Sequence, residues 1–387
     1  MRFEFATAGR VIFGAGTLKE AATAVSGWGE HALLVVGKSA ERASGLIDDL
    51  TSRGIRVTIF HVPGEPTVEL ALEGVRTARQ NGCELVIGMG GGSALDAGKA
   101  IAALLTNPGE PYDYLEVVGK GQPLINLPAP YLAIPTTAGT GSEATRNAVL
   151  AAPAGPEKRV KVSLRSAAML PRLAIVDPEL TYSLSPDITA ATGLDALTQL
   201  IEPFLSNAAN PLTDALCREG IRRSARSLRQ AYEDGDNSQA REDLSLASLF
   251  GGMALANAKL GAVHGFAGPI GGMFPASHGA ICARLLPLVL EANLAALQAR
   301  ASQQETMRKF NEVAQLLTGK QGTQARDGIL WLKGLVAVLK IPPLASYGIK
   351  KSDFPEIIAQ AKRASSMKGN PVELNDSELT GILEKAV

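Results

Sequence analysis

The pattern of apolar residues changes once along this chain of 387 residues, near residue 183. Before that point, short apolar runs alternate with stretches of helical periodicity, and the runs are residues 32–36, 57–60, 85–88, 131–134 and 173–176. Continuous apolar strands separated by helices are typical of a parallel sheet with helices on both faces. After residue 183 the sequence is rich in Ala and Leu at helical spacing. The change predicts an α/β domain over residues 1–183 and an all-helical domain over residues 184–387.

Local signals mark where elements begin and end. Turn residues at 63–67 and 153–156 separate predicted elements of the first domain. Ser185, followed by Pro186 and Asp187, predicts the start of the first helix of the second domain. Prolines are expected to interrupt the helices that follow, and they are Pro203, Pro211, Pro269, Pro275, Pro287 and the pair Pro342–Pro343. The expected active site is the cleft between the two domains.

Composition narrows the class of protein. Lys and Arg number 38, as do Asp and Glu, so charge gives no case for binding nucleic acid or a membrane surface. The three cysteines are far apart and form no CxxC motif. Their spacing predicts a reducing compartment and argues against a disulfide framework or a Cys-rich zinc site. The N-terminus shows no apolar core of a secretory signal. We therefore expect a cytoplasmic enzyme that acts on a small molecule.

A glycine-rich turn follows the predicted strand at residues 85–87. Its glycines are Gly88, Gly90, Gly91 and Gly92, and Ser93 is expected to cap the next helix. Free amides and the positive end of a helix dipole form a phosphate site. The motif is not a complete GxGxxG, because Ser93 stands at the third glycine, and such a turn also serves as a plain tight connection.

A second turn of similar character follows the strand at residues 132–134. It carries the small hydroxylated residues Thr136, Thr137, Thr140 and Ser142. Their side chains are suited to hydrogen bonds with phosphate or ribose oxygens. Ligands of parallel sheets bind beyond the carboxyl ends of the strands, where both turns fall. Two such turns in one domain favour a nucleotide.

Asp195, His264 and His278 are the candidate metal ligands of the helical half. The chain has only four histidines, and two of them lie within fifteen residues of each other in a Gly-rich segment. Asp and His bind zinc or ferrous iron, and three protein ligands leave a position for substrate. Gln199, four residues after Asp195, projects from the same helix face. The alternative is that Asp195, His264 and His278 are ordinary helix residues.

At these residues the chain resembles the iron-containing (group III) alcohol dehydrogenase family over nearly its full length. The motifs are RVIFGAG at 10–16, GGGSALD at 90–96, IPTTAGTGSE at 134–143, AIVDPEL at 174–180 and the paired histidine segment HG…PASHG. The resemblance implies an NAD(P)-dependent oxidoreductase that interconverts a small alcohol and its aldehyde or ketone by hydride transfer. It also implies a divalent metal, Fe²⁺ or Zn²⁺, and a homodimer or larger homo-oligomer.

The resemblance also implies roles for individual residues. Gly90, Gly91, Gly92, Ser93 and Asp96 would belong to the cofactor site, with the pyrophosphate on Gly91–Ser93. Thr136, Thr137 and Thr140 would lie along the nicotinamide half, and Lys161 would reach a cofactor ribose. Asn147 would contact the nicotinamide or the substrate. Asp195, His264 and His278 would bind the metal and act in catalysis.

Two positions depart from the family pattern. The family usually has a histidine as fourth metal ligand where this chain has Gln199, whose neutral amide oxygen is a poorer ligand. Many members also have a proton-relaying histidine where this chain has Gly268. The glycerol dehydrogenase branch uses Asp and two His around zinc, so three ligands suffice there. The alternative function is that of a metal-independent carbonyl reductase, as in the maleylacetate reductase branch. A phosphate-ligand lyase or a simple NAD-binding protein is the alternative from another class.

The end of the first long strand bears on cofactor choice. NAD-preferring members of the family commonly place there an Asp that binds the ribose 2′-hydroxyl and repels a 2′-phosphate. This chain has Gly37, followed by Lys38. No carboxylate excludes the phosphate, and Lys38 is placed to pair with it. The sequence therefore favours acceptance of NADP, the alternative being that Lys38 is a solvated surface residue.

Overall fold

The protein is described by a computed structural model that covers residues 2–153, 159–300 and 304–387. By its internal contacts the chain divides into two compact units. The α/β unit comprises Ala6–Thr137 and Gly141–Thr181. The helical unit comprises Tyr182–Val387, a short N-terminal segment ending at Phe5, and Ala138–Thr140. The single division at residue 183 remains a prediction, and two short segments from the first half pack with the helical unit.

Strands of the α/β unit form one parallel sheet and one hairpin. They are β1 (Val11–Phe13), β2 (His31–Val36), β3 (Arg56–His61), β4 (Leu85–Gly90), β5 (Tyr131–Pro135), β6 (Asn147–Pro153), β7 (Arg159–Arg165) and β8 (Leu173–Val176). The sheet order is β1-β8-β5-β4-β2-β3 with every pair parallel, whereas β6 and β7 pair antiparallel. All five predicted strands are confirmed. The three-residue β1 and the β6–β7 hairpin were not predicted, and the turn predicted at 153–156 lies mostly outside the described residues.

Helices cover both faces of the sheet, as predicted. They are α1 (Ala21–Ala24), α2 (Ser44–Ser52), α3 (Val68–Gln80), α4 (Gly92–Thr106) and α5 (Pro111–Tyr114). Alternate residues of a strand point to opposite faces. Leu33 and Val35 of β2 accordingly pack in the core with α3 and α4, whereas Ala32 and Leu34 pack in the core with α1 and α2. Burial on both faces explains why these strands are continuous apolar runs.

The register of the sheet sets the positions of the turns that follow the strands. Gly90 at the end of β4 pairs with Pro135 at the end of β5, and Val36 at the end of β2 pairs with Met89. The glycine-rich turn, the threonine turn and Gly37 therefore begin side by side at the carboxyl edge of the sheet, where the sequence placed them.

The helical unit is built around one buried helix. Its helices are α6 (Pro186–Leu205), α7 (Pro211–Glu233), α8 (Ser238–Asn257), α9 (Ala262–Met273), α10 (His278–Arg300), α11 (Gln304–Thr318), α12 (Ala325–Val338), α13 (Phe354–Arg363) and α14 (Asp376–Ala386). The predicted start of α6 is confirmed, because the Ser185 hydroxyl accepts a hydrogen bond from the Ile188 amide at 3.4 Å. Every residue from Leu194 to Leu205 is buried, which is typical of a central helix.

Three of the predicted helix breaks are wrong. Pro203, Pro269 and Pro287 lie inside α6, α9 and α10. A proline inside a helix costs about 3 kcal/mol or more, since it removes one backbone hydrogen bond and crowds the preceding turn. These helices pack into the main core of the unit, and burial of their apolar faces offsets that cost. Pro211 is the first residue of α7, a position that accepts proline.

Among the described helices, α10 is long and apolar enough to cross a membrane by length and composition, and α8 with α9 passes the same test only as a pair bent by 97°. In α10, 72% of the apolar stretch is buried inside the fold. Such burial is typical of a core helix.

Candidate active site

Three helices of the helical unit bring the predicted metal ligands together. Asp195 lies in the middle of α6, His264 in the first turn of α9, and His278 is the first residue of α10. Oδ1 of Asp195 lies 3.6 Å from Nε2 of His264 and 3.8 Å from Nε2 of His278. The two imidazole centroids are 5.3 Å apart. Three potential ligand atoms from distant parts of the sequence therefore converge on one point.

The spacing of these atoms fits a metal ion. Ligands at about 2.0–2.2 Å from a tetrahedral metal lie roughly 3.4 Å from one another, close to the distances found here. Oδ1 of Asp195 is buried and has no hydrogen-bond partner among the described residues. A buried carboxylate oxygen without a partner is costly unless a ligand satisfies it. The His278 side chain is 32% exposed, so the group is reachable from solvent.

The surrounding charges favour a cation. Burial alone raises the pKa of Asp195, but the neighbouring His278 and His264 lower that pKa to about 2. Burial works against protonation of His264, yet Cys282, Glu202 and Asp195 together raise its pKa well above the ordinary value. The Asp195 carboxylate therefore stays ionised, and the site attracts positive charge.

Glu202 orients His264, a role that the sequence did not reveal. Its Oε2 lies 2.6 Å from Nδ1 of His264, and its Oε1 accepts the Val263 amide at 2.7 Å. A carboxylate that accepts Nδ1–H leaves the Nε2 lone pair free for a metal. The spacing of seven residues from Asp195 places Glu202 on the same face of α6, and this was the available signal.

Gln199 and Gly268 occupy the two positions that depart from the family pattern. Nε2 of Gln199 donates to the Gly139 carbonyl at 3.4 Å, while its Oε1 is buried without a partner among the described residues. The residue thus lies in the buried core of the unit one turn after Asp195. At Gly268, a Cβ would meet no atom of the described residues within 4 Å, so the backbone there is open rather than packed against one of them.

Cys282 joins the metal-ligand cluster, although no role was predicted for it. Its sulfur lies 3.7 Å from Nε2 of His278 and 3.9 Å from Nε2 of His264. Potential ligand atoms of Asp195, His264, His278 and Cys282 all lie within 4.8 Å of one another. Burial raises the pKa of the Cys282 thiol to about 12. The i,i+4 spacing from His278 predicts this contact within a helix, whereas a CxxC motif, which Cys282 does not form, would not indicate it.

The glycine-rich turn opens α4 with free backbone amides. Gly91, in extended conformation, is the N-cap, and no side chain among the described residues caps the helix. The prediction that Ser93 caps the helix is wrong, since the helix begins at Gly92. Leu95 N–H makes the first helical hydrogen bond, to the Gly91 carbonyl at 3.1 Å, so the preceding amides have no partner within the helix. This end of α4 suits a pyrophosphate.

Glycines of the β4–α4 turn serve two different purposes. A Cβ at Gly91 would lie 3.4 Å from Thr137, so the glycine-rich and threonine turns are in contact. A Cβ at Gly88 would lie 2.3 Å from the hydroxyl of Tyr131. Gly88 is therefore required by packing within the sheet. Thr136 and Thr137 belong to the α/β unit, whereas Thr140 belongs to the helical unit.

A buried lysine organises the segment that follows the threonine turn. Nζ of Lys99 donates to the Ser142 carbonyl at 2.7 Å, to the Thr145 hydroxyl at 2.8 Å and to the Asn147 carbonyl at 2.8 Å. Asp96 accepts the Ser142 hydroxyl at 2.5 Å and the Val149 amide at 3.1 Å. Both oxygens of Asp96 and the carbonyl of Asn147 are therefore engaged by the protein itself, which favours positioning roles for them.

The remaining predicted cofactor residues lie at the surface or in the hairpin. Gly37 follows β2, and within the part of the chain that the structure describes a Cβ there would meet nothing within 4 Å. Lys38 beside it is exposed. Lys161 lies in β7, where its ammonium is 2.5 Å from Oε1 of Glu65. A cofactor contact by Lys161 requires that this ion pair open or be shared.

Comparison with known sequences gives a consistent result. The sequence profile described as iron-containing alcohol dehydrogenase matches residues 8–178, and the C-terminal profile of the same family matches residues 189–387. The 1,3-propanediol dehydrogenase of Klebsiella pneumoniae is 37% identical over 370 residues, covering 92% of each chain. Alcohol dehydrogenase 4 of Saccharomyces cerevisiae (strain YJM789) is 36% identical over 381 residues, covering 97% of this chain and 96% of the relative.

Solved structures agree with the sequence comparison. A crystal structure of 1,3-propanediol oxidoreductase superimposes with a TM-score of 0.90 at 35% identity and full coverage of both chains. The sulfoacetaldehyde reductase of Bifidobacterium kashiwanohense, solved with NAD⁺, gives a TM-score of 0.85 at 28% identity, covering 100% of this chain and 99% of the other.

A parallel-sheet unit with two nucleotide-type turns and a helical unit with an Asp/His cluster define a nicotinamide-dependent dehydrogenase. The chain belongs to the iron-containing alcohol dehydrogenase family. It is an alcohol dehydrogenase, an enzyme that interconverts an alcohol and its carbonyl compound by hydride exchange with a nicotinamide.

Proposed function

We propose that the enzyme acts on a small alcohol and its aldehyde or ketone with the assistance of a divalent metal held by Asp195, His264 and His278. The observation that carries this proposal is the buried Oδ1 of Asp195, which has no hydrogen-bond partner among the described residues and lies 3.6 and 3.8 Å from two imidazole nitrogens. Bound there, the ion supplies Lewis acidity to a substrate oxygen, while the nicotinamide exchanges the hydride.

The helical unit prepares the ligand set before any ion binds. Glu202 holds the His264 ring by accepting from Nδ1–H, which directs Nε2 to the site. The low pKa of Asp195 keeps this carboxylate ionised at neutral pH. Partial exposure of His278 leaves a side from which a small substrate can enter. We propose either Fe²⁺ or Zn²⁺, with Gln199 as a weak ligand or as a partner outside the coordination sphere.

We propose that the α/β unit binds NAD or NADP along the carboxyl edge of its sheet. The pyrophosphate is assigned to the amides of Gly91–Ser93, at the positive end of the α4 dipole. Thr136 and Thr137, in contact with this turn, provide hydroxyls for the next part of the cofactor. Gly37 and Lys38 face the adenosine ribose in this assignment, where open space and a positive charge favour a 2′-phosphate. Thr140, Asn147, Lys161 and Asp96 complete the proposed cofactor residues.

Two further aspects of the proposal concern the enzyme in the cell. We propose a homodimer or larger homo-oligomer in the cytoplasm. The connection between α5 and β5 supports self-association, since Val117, Ile125 and Leu127 on it are 86%, 73% and 80% exposed. The three cysteines, which form no disulfide, are compatible with a reducing compartment. Light scattering on the purified protein measures the oligomeric state directly.

One assay tests the function. Absorbance at the reduced nicotinamide band is followed with NADH and NADPH against a panel of small aldehydes and ketones, with chelator, zinc or ferrous iron added. We expect turnover that chelator abolishes and added metal restores. Full activity in chelator would identify a metal-independent carbonyl reductase. Failure of both NADH and NADPH to bind at millimolar concentration would refute the proposed function altogether.

A further inference from the structure

Cys282 stands one helical turn after His278 and faces the same site. In α10 the spacing of four residues puts both side chains on one helix face. The thiol is fully buried, and its nearest polar neighbours include the Nε2 atoms of both histidines. The sulfur is therefore placed in the ligand cluster by the helix itself and by the packing of α9 against α10.

The distances match those of a coordinated thiolate. Zinc–sulfur bonds are about 2.3 Å and zinc–nitrogen bonds about 2.0–2.1 Å, so a tetrahedral site separates sulfur and nitrogen by roughly 3.6 Å. The observed separations are 3.7 Å to His278 and 3.9 Å to His264. If the three side chains move together by a few tenths of an ångström around an ion, both sulfur–nitrogen separations reach the tetrahedral value.

Gln199 is the competing candidate for a fourth ligand. Its amide nitrogen is already directed to the Gly139 carbonyl at 3.4 Å, and its oxygen is neutral. A thiolate is a far stronger ligand for zinc than an amide oxygen is. If the Cys282 thiolate and the Gln199 amide oxygen both lie near one ion, the stronger ligand, the thiolate, is expected to bind it.

We infer that Cys282 is the fourth protein ligand of the metal, in place of the residue at position 199, and that the resulting Asp/His/His/Cys set prefers zinc to ferrous iron. This inference rests on the proposed metal-assisted function. On binding, the S–H bond of Cys282 breaks, the proton passes to solvent, and the sulfur electron pair forms the metal–sulfur bond. Held by these four residues, zinc would supply Lewis acidity to a substrate oxygen. Soft sulfur shifts the preference towards zinc.

Cobalt substitution tests the inference without reference to activity. The full-length protein is freed of metal with chelator and titrated with Co²⁺, which gives an intense near-ultraviolet charge-transfer band only when bound to thiolate. We expect the band in the wild type, with saturation at one ion per chain. X-ray absorption of the zinc form should show a sulfur shell at about 2.3 Å.

Substitution of single cysteines shows which sulfur atom binds the ion. Cys282→Ser should lose the band and bind zinc at least about tenfold more weakly. Cys217→Ser is the matched control, because Cys217 is equally buried but lies in α7, outside the ligand cluster, and it should keep both the band and the affinity. Circular dichroism checks that each variant is folded.

Outcomes separate the inference from the proposed function. Wild-type protein that binds cobalt without the band, or a zinc form without a sulfur shell, overturns the role of Cys282 and leaves the metal-assisted function intact. Wild-type protein that binds no divalent ion refutes the metal part of the proposed function, and the inference falls with it.

Discussion

The carboxylate of Glu202 bridges the backbone and the side chain of the segment that carries the first histidine ligand. Its Oε1 accepts the Val263 amide at 2.7 Å, and its Oε2 faces Nδ1 of His264 at 2.6 Å. Because the Val263 amide holds Oε1 in place, Oε2 is positioned to accept a hydrogen bond from Nδ1–H of His264. Nε2 of His264 is then the nitrogen that an ion binds once its proton is displaced, and it lies 3.6 Å from Oδ1 of Asp195. The tautomer of a metal ligand is thus decided by a residue that does not itself reach the ion.

Glu202→Gln should weaken metal binding while leaving the fold intact. If the glutamine oxygen keeps the Val263 amide, its NH₂ faces Nδ1, and the imidazole must carry its proton on Nε2. We expect zinc affinity to fall by about 10- to 100-fold, as for other partners that orient a ligand. Competition with a chromophoric chelator measures the affinity. Glu312→Gln, which alters a surface ion pair with Arg218, is the control and should not change it. Unchanged affinity in Glu202→Gln would remove Glu202 from the site.

Gln199→His should tighten metal binding, most clearly in a Cys282→Ser background. The i,i+4 spacing from Asp195 presents an imidazole on the ligand-bearing face of α6. Gln199→Met, which removes the amide without adding a ligand, should give no gain. Zinc content after dialysis against a graded chelator series measures the order of affinities. Equal zinc content in the His and Met variants would show that position 199 does not reach the ion.

Gly37→Asp should change cofactor preference. A Cβ at this position meets no atom of residues 2–153, 159–300 or 304–387 within 4 Å, so these residues leave room for an aspartate. Its carboxylate repels a 2′-phosphate but accepts a hydrogen bond from a 2′-hydroxyl, and NADP should therefore weaken far more than NAD. Fluorescence titration with both reduced cofactors gives the ratio of dissociation constants. Gly334→Asp, at an exposed position of α12 with equally open space, adds the same charge elsewhere and should leave the ratio unchanged. Equal weakening of both cofactors by Gly37→Asp would contradict the assignment.

Stability should fall between pH 4.5 and pH 7 because of Glu143. Burial raises the pKa of this carboxyl from 4.5 to about 7. The folded state therefore holds a proton that the unfolded state has released, and the free energy of unfolding decreases as pH rises through this window. At 1.36 kcal/mol per pKa unit the loss is on the order of 2–3 kcal/mol. Urea unfolding across the window should show a shallower pH dependence in Glu143→Gln. Parallel curves for the two proteins would refute the assignment to Glu143.

Lys99→Met should destabilise the α/β unit. The substitution leaves the acceptors of Ser142, Thr145 and Asn147 without their buried donor and leaves Asp96 without its nearby cation at 3.7 Å. Removing one member of a buried charge network costs about 3–5 kcal/mol. Chemical denaturation measures this change. Lys351→Met, at a side chain 74% exposed, should change stability by less than about 0.5 kcal/mol. A similarly small effect of Lys99→Met would contradict this prediction, because it would mean that water molecules replace the hydrogen bonds of the lysine.

Sequence alone predicted five of the six strands of the parallel sheet and the edge at which the glycine-rich and threonine turns lie. Strands buried on both faces appear as continuous apolar runs, so β2, β4, β5 and β8 were predictable from their residues. The edge strand β3 is mostly exposed or half-buried and was predictable from its β-branched and aromatic residues instead. Parallel strands end at a common edge, and for that reason the glycine-rich and threonine turns could be placed together before their contact was seen.

Tertiary structure decided which side chains meet. Glu202 and Cys282 are ordinary helix residues by local pattern, and only the packing of α6, α9 and α10 brings them to the histidines. Packing likewise keeps Pro203, Pro269 and Pro287 inside helices that the sequence predicts to end. Local propensity reflects the few neighbouring residues, whereas a binding site depends on contacts between residues up to eighty-seven positions apart, as Asp195 and Cys282 are.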